Sequence, residues 1–133
     1  MKDILLGIDE DVERAVTQAT TVLDLFDPGA ARVHLFHSFV DNPEGATITR
    51  VQAVKRAREL LEDAGVDVQL HEASGPAEVT LLETAAEVDA DLVCVAGRNR
   101  SPAGKVLFGS TSQSVVLDAD RPVMVCGTSE TED

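Results

Sequence analysis

The residues best placed to do chemistry fall in one stretch, Arg98-Asn99-Arg100-Ser101-Pro102-Ala103-Gly104-Lys105. Three of the chain's 11 basic residues lie there without one acid, although the net charge of the chain is −13. The stretch runs into Gly109-Ser110-Thr111-Ser112-Gln113-Ser114, an uncharged, hydroxyl-rich sequence with the make-up of a helix start. Free backbone N–H groups and the positive end of the helix dipole at such a start favour a phosphate or another anion. Arg98, Arg100 and Lys105 would add charge to that anion trap. In the competing reading, Ser110 or Ser112 only caps the helix and the arginines face water. A second polar cluster, Asp9-Glu10-Asp11, follows the first apolar run, and Asp11 has the character of a helix cap.

Other chemistries fail on spacing. A P-loop needs Gly, four residues, then Gly-Lys and Ser or Thr. Here Asn99 holds the first glycine position before Gly104-Lys105, and Val106 follows. A hydrolase elbow at Gly109-Ser110-Thr111-Ser112-Gln113 lacks its second glycine, and His34, His37 and His71 all precede the serine. A phosphoacceptor receiver would need Asp after strand three and Lys after strand five, where this chain has Glu72 and Cys126-Gly127. His34 and His37 read as packed or half-exposed strand residues in preference to metal ligands, since four-ligand metal spacing is absent. Cys94 and Cys126 sit inside apolar runs with no CxxC motif, which favours buried reduced thiols over metal ligands or a disulfide.

The elements that must position these groups follow from periodicity. Residues 4–8 and 32–40 read as strands, separated by a helix with apolar positions Val12, Ala15, Val16, Ala19, Val22, Leu23 and Phe26. After a turn cluster at 41–45, a helix from Thr47 carries Val51, Val54, Ala57, Leu61 and Ala64, with Gly65 at its C-terminal cap. A third strand is predicted over 67–72. A helix then opens with Pro76 at its first position and buries Leu81, Leu82, Ala85 and Val88. Residues 92–96 form a fourth strand, 97–108 an irregular stretch, 109–117 a short helix and 122–126 a fifth strand. The polar tail 127–133 is expected to fray. Alternation of strand and helix without a hairpin signal predicts an open, mostly parallel α/β sheet with helices on both faces. In such sheets the ligand site lies beyond the carboxyl ends of the strands, where the winding reverses.

Length and charge bound the rest. The 133 residues, 44% of them hydrophobic, suit one domain spanning 1–133. The excess of 24 acidic over 11 basic residues disfavours nucleic acid and anionic membranes as partners. Four Phe and no Trp or Tyr leave little for base stacking. The acidity fits either a high-salt cytoplasm, where screening relieves self-repulsion, or an ordinary acidic protein. With no apolar leader and no run near the ~20 residues of a membrane span, a cytoplasmic location is expected.

One family draws these features together. Val93-Cys94-Val95-Ala96, the loop after it, Phe108-Gly109-Ser110 and Arg121-Pro122-Val123-Met124-Val125 resemble the second half of a universal stress protein. Ile4-Leu5-Leu6-Gly7-Ile8-Asp9 and the helix with Glu13-Arg14-Ala15 resemble its first half. The resemblance implies a five-stranded parallel sheet in the order 3-2-1-4-5, of the adenine nucleotide alpha hydrolase-like kind. In nucleotide-binding members the loop reads Gly, two residues, Gly, nine residues, then Gly-Ser or Gly-Thr. Anchored on Gly109-Ser110, the first two glycine positions here hold Ala96 and Asn99. Residue by residue, the resemblance implies Asp9 at the adenosine end, and Ala96 and Asn99 where backbone meets ribose and phosphates. Gly109, Ser110 and Thr111 become phosphate ligands, and Ser38 holds the second-strand place near adenine.

The cofactor so implied is ATP, with or without magnesium, while AMP or another anion stays open. Strand five is apolar and falls at the sheet edge in that order, so pairing of two copies through Val123, Met124 and Val125 is expected. Two functions remain: a nucleotide-binding regulatory module with at most slow ATP hydrolysis, and a dimeric stress or scaffold protein that binds no nucleotide.

Overall fold

A computed structural model describes residues 1–39, 48–100, 106–107 and 110–126, with the backbone alone at 98–100, 106–107 and 110. The chain runs β1 (Lys2–Gly7), α1 (Val12–Leu25), β2 (Ala31–Phe39), α2 (Gln52–Asp63), β3 (Asp67–Ser74), α3 (Ala77–Glu87) and β4 (Leu92–Ala96). It continues through β5 (Arg98–Arg100), β6 (Val106–Leu107), α4 (Ser110–Asp118) and β7 (Val123–Cys126). The main sheet has five strands in the order β3-β2-β1-β4-β7, all of its pairs parallel. This is the 3-2-1-4-5 order that the resemblance implied, with β7 as the fifth strand. No helix among the described residues is long and apolar enough to cross a membrane.

Alternation along each strand divides the core into two layers. Ile4, Leu6, Val33 and Leu35 face one side and pack with Ala15, Ala19 and Val22 of α1 and with Val54, Ala57 and Leu61 of α2. Leu5, Phe36, Val93 and Val95 face the other side, against Leu81 and Ala85 of α3 and Val115 of α4. α3 can settle on β1 because position 7 is glycine: a Cβ there would stand 3.0 Å from a Leu81 methyl carbon. Gly65 closes α2 at φ +90°, and the bond from Val66 N–H to the Leu61 carbonyl completes a Schellman-type end.

Several local expectations change. Residues 97–108 are not wholly irregular, because β5 and β6 pair antiparallel, Arg98 opposite Leu107 and Arg100 opposite Val106, with an irregularity between Arg98 and Arg100. β3 extends to Ser74, because each of its residues pairs with β2. Pro76 is the N-cap of α3 instead of its first helical residue, with extended ψ of 125°. α2 begins at Gln52 after a 3-10 turn over Ile48–Arg50. The turn cluster at 41–45, Thr47 and the tail at 127–133 lie outside the described residues.

Arg121, just ahead of β7, ties the far side of the sheet together. Its Nη1 donates to the carbonyls of Ala85 at 3.1 Å and Ala90 at 3.0 Å, joining the end of α3 and the turn into β4. A cation at a helix C-terminus also meets the negative end of the dipole. Arg121→Ala removes a charged donor from two carbonyls and should cost about 2 kcal/mol, read as a lower urea midpoint. An unchanged midpoint would show that the clamp contributes nothing.

Candidate functional site

The winding of the sheet reverses between β1 and β4. The chain moves from β1 to β2 and β3 on one side, then returns to place β4 and β7 on the other. The carboxyl ends of the paired strands β1 and β4 therefore mark the switch point, which is where ligands bind in such folds.

On the β1 side of the switch point stands Asp9, two residues beyond the strand, whose side chain is 51% exposed. One of its oxygens accepts the Asp11 N–H at 2.8 Å and the other accepts Arg14 Nε at 2.9 Å. Asp11 caps α1 as expected, accepting the Arg14 N–H at 3.0 Å. The first turn of α1 thus fixes the Asp9 carboxylate.

From the β4 side come Ala96 and the start of α4. Ser112 in the first turn of α4 donates its hydroxyl to the Ala96 carbonyl at 2.9 Å. Ser112 is therefore not the cap that composition allowed; it is a tether pinning the helix start to the strand end. Thr111 is half-buried beside it. Gly97 N–H is occupied by the Cys126 carbonyl at 2.8 Å. Ser110 is the first residue of α4, and Arg98, Asn99 and Arg100 lie on β5, with only their backbone described. Lys105 and Gly109 lie outside the described residues.

Ser38 stands at the end of β2, where its hydroxyl donates to the Gly75 carbonyl at 2.8 Å and accepts from Thr80 at 3.2 Å. It braces the left-handed turn at Gly75, φ +117°, that leads into α3. His37, which the sequence suggested only as a packed residue, also lies at this edge. It is buried, donates Nδ1–H to the Ile8 carbonyl at 2.7 Å and meets the Phe39 ring edge-on at 4.8 Å. Asp9 thus follows β1, Ala96 ends β4 with the α4 start tied to it, and His37 and Ser38 lie near the end of β2. The one sequence signal for His37 was its place at a strand end.

A profile described as the universal stress protein family matches residues 1–127. The chain belongs to the universal stress protein family. A universal stress protein of Mycolicibacterium smegmatis is 35% identical over 65 residues, a stretch covering 48% of this chain and 50% of that protein. The aligned segment thus spans half the length of that relative. Among solved structures, a universal stress protein in complex with cAMP superposes with a TM-score of 0.72 at 22% identity, covering 96% of this chain and 98% of the other. A family member from Arabidopsis thaliana with AMP bound gives a TM-score of 0.72 at 13% identity, covering 96% and 92%. At these identities the structural likeness speaks to the fold.

At the opposite sheet edge this universal stress protein holds a second polar cluster. Buried His34 places Nε2 3.0 Å from Asp3 Oδ1 and Nδ1 2.9 Å from His71 Nε2. The carboxylate can only accept, so His34 donates from Nε2 and accepts at Nδ1 from His71. No group of three or more metal-ligating side chains occurs among the described residues. The hydrogen bond from His34, with the nearby Arg32, holds the Asp3 pKa below its ordinary value. Burial, followed by repulsion from His34, lowers the His71 pKa, partly opposed by Glu87.

For His71 the unfolded chain binds the proton first. Its contribution is complete above the ordinary histidine value of 6.5 and erodes as pH falls through that value toward the folded one. Asp3 contributes above its unfolded value of 3.8 and loses that contribution as pH falls through its lower folded value. The urea midpoint should therefore decline from pH 7 to pH 5, and His71→Gln should flatten that decline. An equally steep decline in the variant would remove His71 as its source.

Proposed function

We propose that this chain is a nucleotide-binding regulatory module of the stress response, acting as a homodimer in the cytoplasm, with ATP as its ligand. The observation that carries the reading is the tether from Ser112 to Ala96, which brings the N-terminus of α4 to the strand end at the winding reversal. Anions bind at that kind of helix start, and nucleotides bind at that kind of switch point. The family membership supports the same reading, as do the relatives whose structures hold cAMP and AMP.

In this proposal the phosphates lie at the backbone of Gly109, Ser110 and Thr111. Ala96 and Asn99 flank the ribose and phosphates, and Asp9 lies at the nucleoside end. Arg98, Arg100 and Lys105 supply charge, Ser38 borders the base, and magnesium accompanies the phosphates. Hydrolysis is slow at most. Asp9 is already engaged by Arg14 and the Asp11 N–H, which disfavours it as a general base.

A second reading, a dimeric stress or scaffold protein that binds no nucleotide, draws on Ala96 and Asn99 in the glycine positions and on the short β5–β6 pairing. Calorimetry separates the two. ATP with magnesium should release heat on binding the wild type, with AMP as the competing ligand. Ser110→Asp should weaken ATP at least about tenfold, or ~1.4 kcal/mol, by repelling the phosphates. An acid at a helix start favours the helix, so this loss would not stem from unfolding. No heat with either nucleotide ends the nucleotide reading.

The dimer rests on β7. Among the described residues this strand pairs only with β4, and Val123, Met124 and Val125 are half-buried. An apolar edge of this kind is completed by pairing with a second copy. Light scattering at micromolar concentration should return twice the chain mass, and a monomer mass would refute the pairing.

A further inference from the structure

The layer between α1 and the sheet holds an unusual polar cluster. Cys94 and Cys126 are 0% and 3% exposed, and both are free thiols. In the parallel register Cys94 lies opposite Met124 and Ala96 opposite Cys126, so the two thiols sit on adjacent strands, two positions apart on one face. Their sulfurs approach to 2.6 Å, about half an ångström beyond the ~2.05 Å of a disulfide bond. Both cysteines are buried as expected, and the 32 positions between them do not keep them apart.

Two side chains of α1 attend the pair. Gln18 is fully buried and donates Nε2–H to the carbonyls of Gly7 at 3.0 Å and Cys94 at 3.3 Å, while its Oε1 has no partner. Its carboxamide lies against the Cys94 thiol, and Thr21 lies against Cys126. A buried carboxamide with an unmet oxygen is costly, and an apolar side chain would serve packing better.

We propose that Cys94 and Cys126 form an oxidisable dithiol, which peroxide converts to an intrachain disulfide joining β7 to β4 beneath α1. The two thiols are unequal. The hydrogen bond from Cys94 lowers the Cys126 pKa, whereas that bond and burial raise the Cys94 pKa well above its ordinary value. Cys126 is thus the attacking sulfur. Its thiolate displaces hydroxide from hydrogen peroxide and becomes a sulfenic acid, Cys–SOH. Cys94 then attacks that sulfur, gives up its proton, and expels hydroxide, which leaves as water. In sum, two thiols and one peroxide give one disulfide and two waters, with the sulfurs oxidised by two electrons and the peroxide oxygens reduced. An external dithiol returns the pair to thiols by exchange.

In a reducing compartment the pair rests as thiols, which suits a responsive site better than a fixed structural bridge. The proposal is independent of the nucleotide reading. It invokes only β4, β7 and the two side chains of α1.

The test exposes the full chain to a small excess of hydrogen peroxide, quenches it, and alkylates it in denaturant before peptide mass mapping. A peptide joining Cys94 to Cys126, lighter by two hydrogens, should appear and should revert with dithiothreitol. Fragment ions that separate Met124 from Cys126, two residues on, keep oxidation of the methionine from being read as oxidation of the thiol. Cys94→Ala should halt at a Cys126 sulfenic acid trapped by a cyclic dione, and Cys126→Ala should leave Cys94 unmodified over the same exposure. The disulfide should also raise the melting temperature by several degrees, since it constrains the unfolded chain. The proposal is overturned if both cysteines remain fully alkylated, if either gathers oxygens without a crosslink, or if crosslinks form only between chains.

Discussion

Because every strand of the main sheet runs parallel to its neighbours, each connection must cross back over a face of the sheet before the next strand can begin. Helices therefore start at the edge where strands end, and their positive ends gather there. The reversal of winding between β1 and β4 then parts the connections, with Asp9 following β1 on one side and Ala96 and α4 following β4 on the other. The two core layers, the glycine beneath Leu81 and the tether from Ser112 to Ala96 all serve this one arrangement. Ala96 is a strand end whose carbonyl holds a helix; its role lies in its backbone, which any small residue could supply.

Much of this was legible in the residues themselves. Strand and helix periods fixed the alternation, Asp11 announced its cap, and Gly65 its left-handed turn, because each of those signals acts within a few residues. Strand order was not readable from periodicity and came through the resemblance. What escaped were contacts between positions distant in sequence. Nothing local marks Ser112 as a tether in preference to a cap, since both uses call for the same hydroxyl. Nor does anything local announce the bond from the Ser38 hydroxyl to the Gly75 carbonyl, which lies 37 positions on. The pairing of β5 with β6 depends on where the loop returns, which composition does not encode.

The two polar clusters away from the switch point show different solutions to burial. His34 is satisfied at both ring nitrogens, by Asp3 and by His71. Gln18 is satisfied on its nitrogen alone. The first cluster is a chain of donors and acceptors running from Asp3 through His34 to His71, whereas the second leaves an acceptor unmet inside an apolar layer. A complete network can rigidify a core, and an incomplete one carries a standing cost.

Arg121 has a further consequence in so acidic a molecule. Pairs such as Arg58–Glu62 and Arg56–Glu59 lie on the helix surface, where dissolved ions compete for each partner. Arg121 also pairs with Asp120 at 3.3 Å and Asp89 at 3.7 Å, but its Nη1 closes on two neutral carbonyls at the seam of α3, β4 and β7, and those two bonds remain when dissolved ions screen the carboxylates. The seam should therefore hold alike in dilute buffer and in concentrated brine, while the acidic surface around it responds to each change in the surrounding electrolyte.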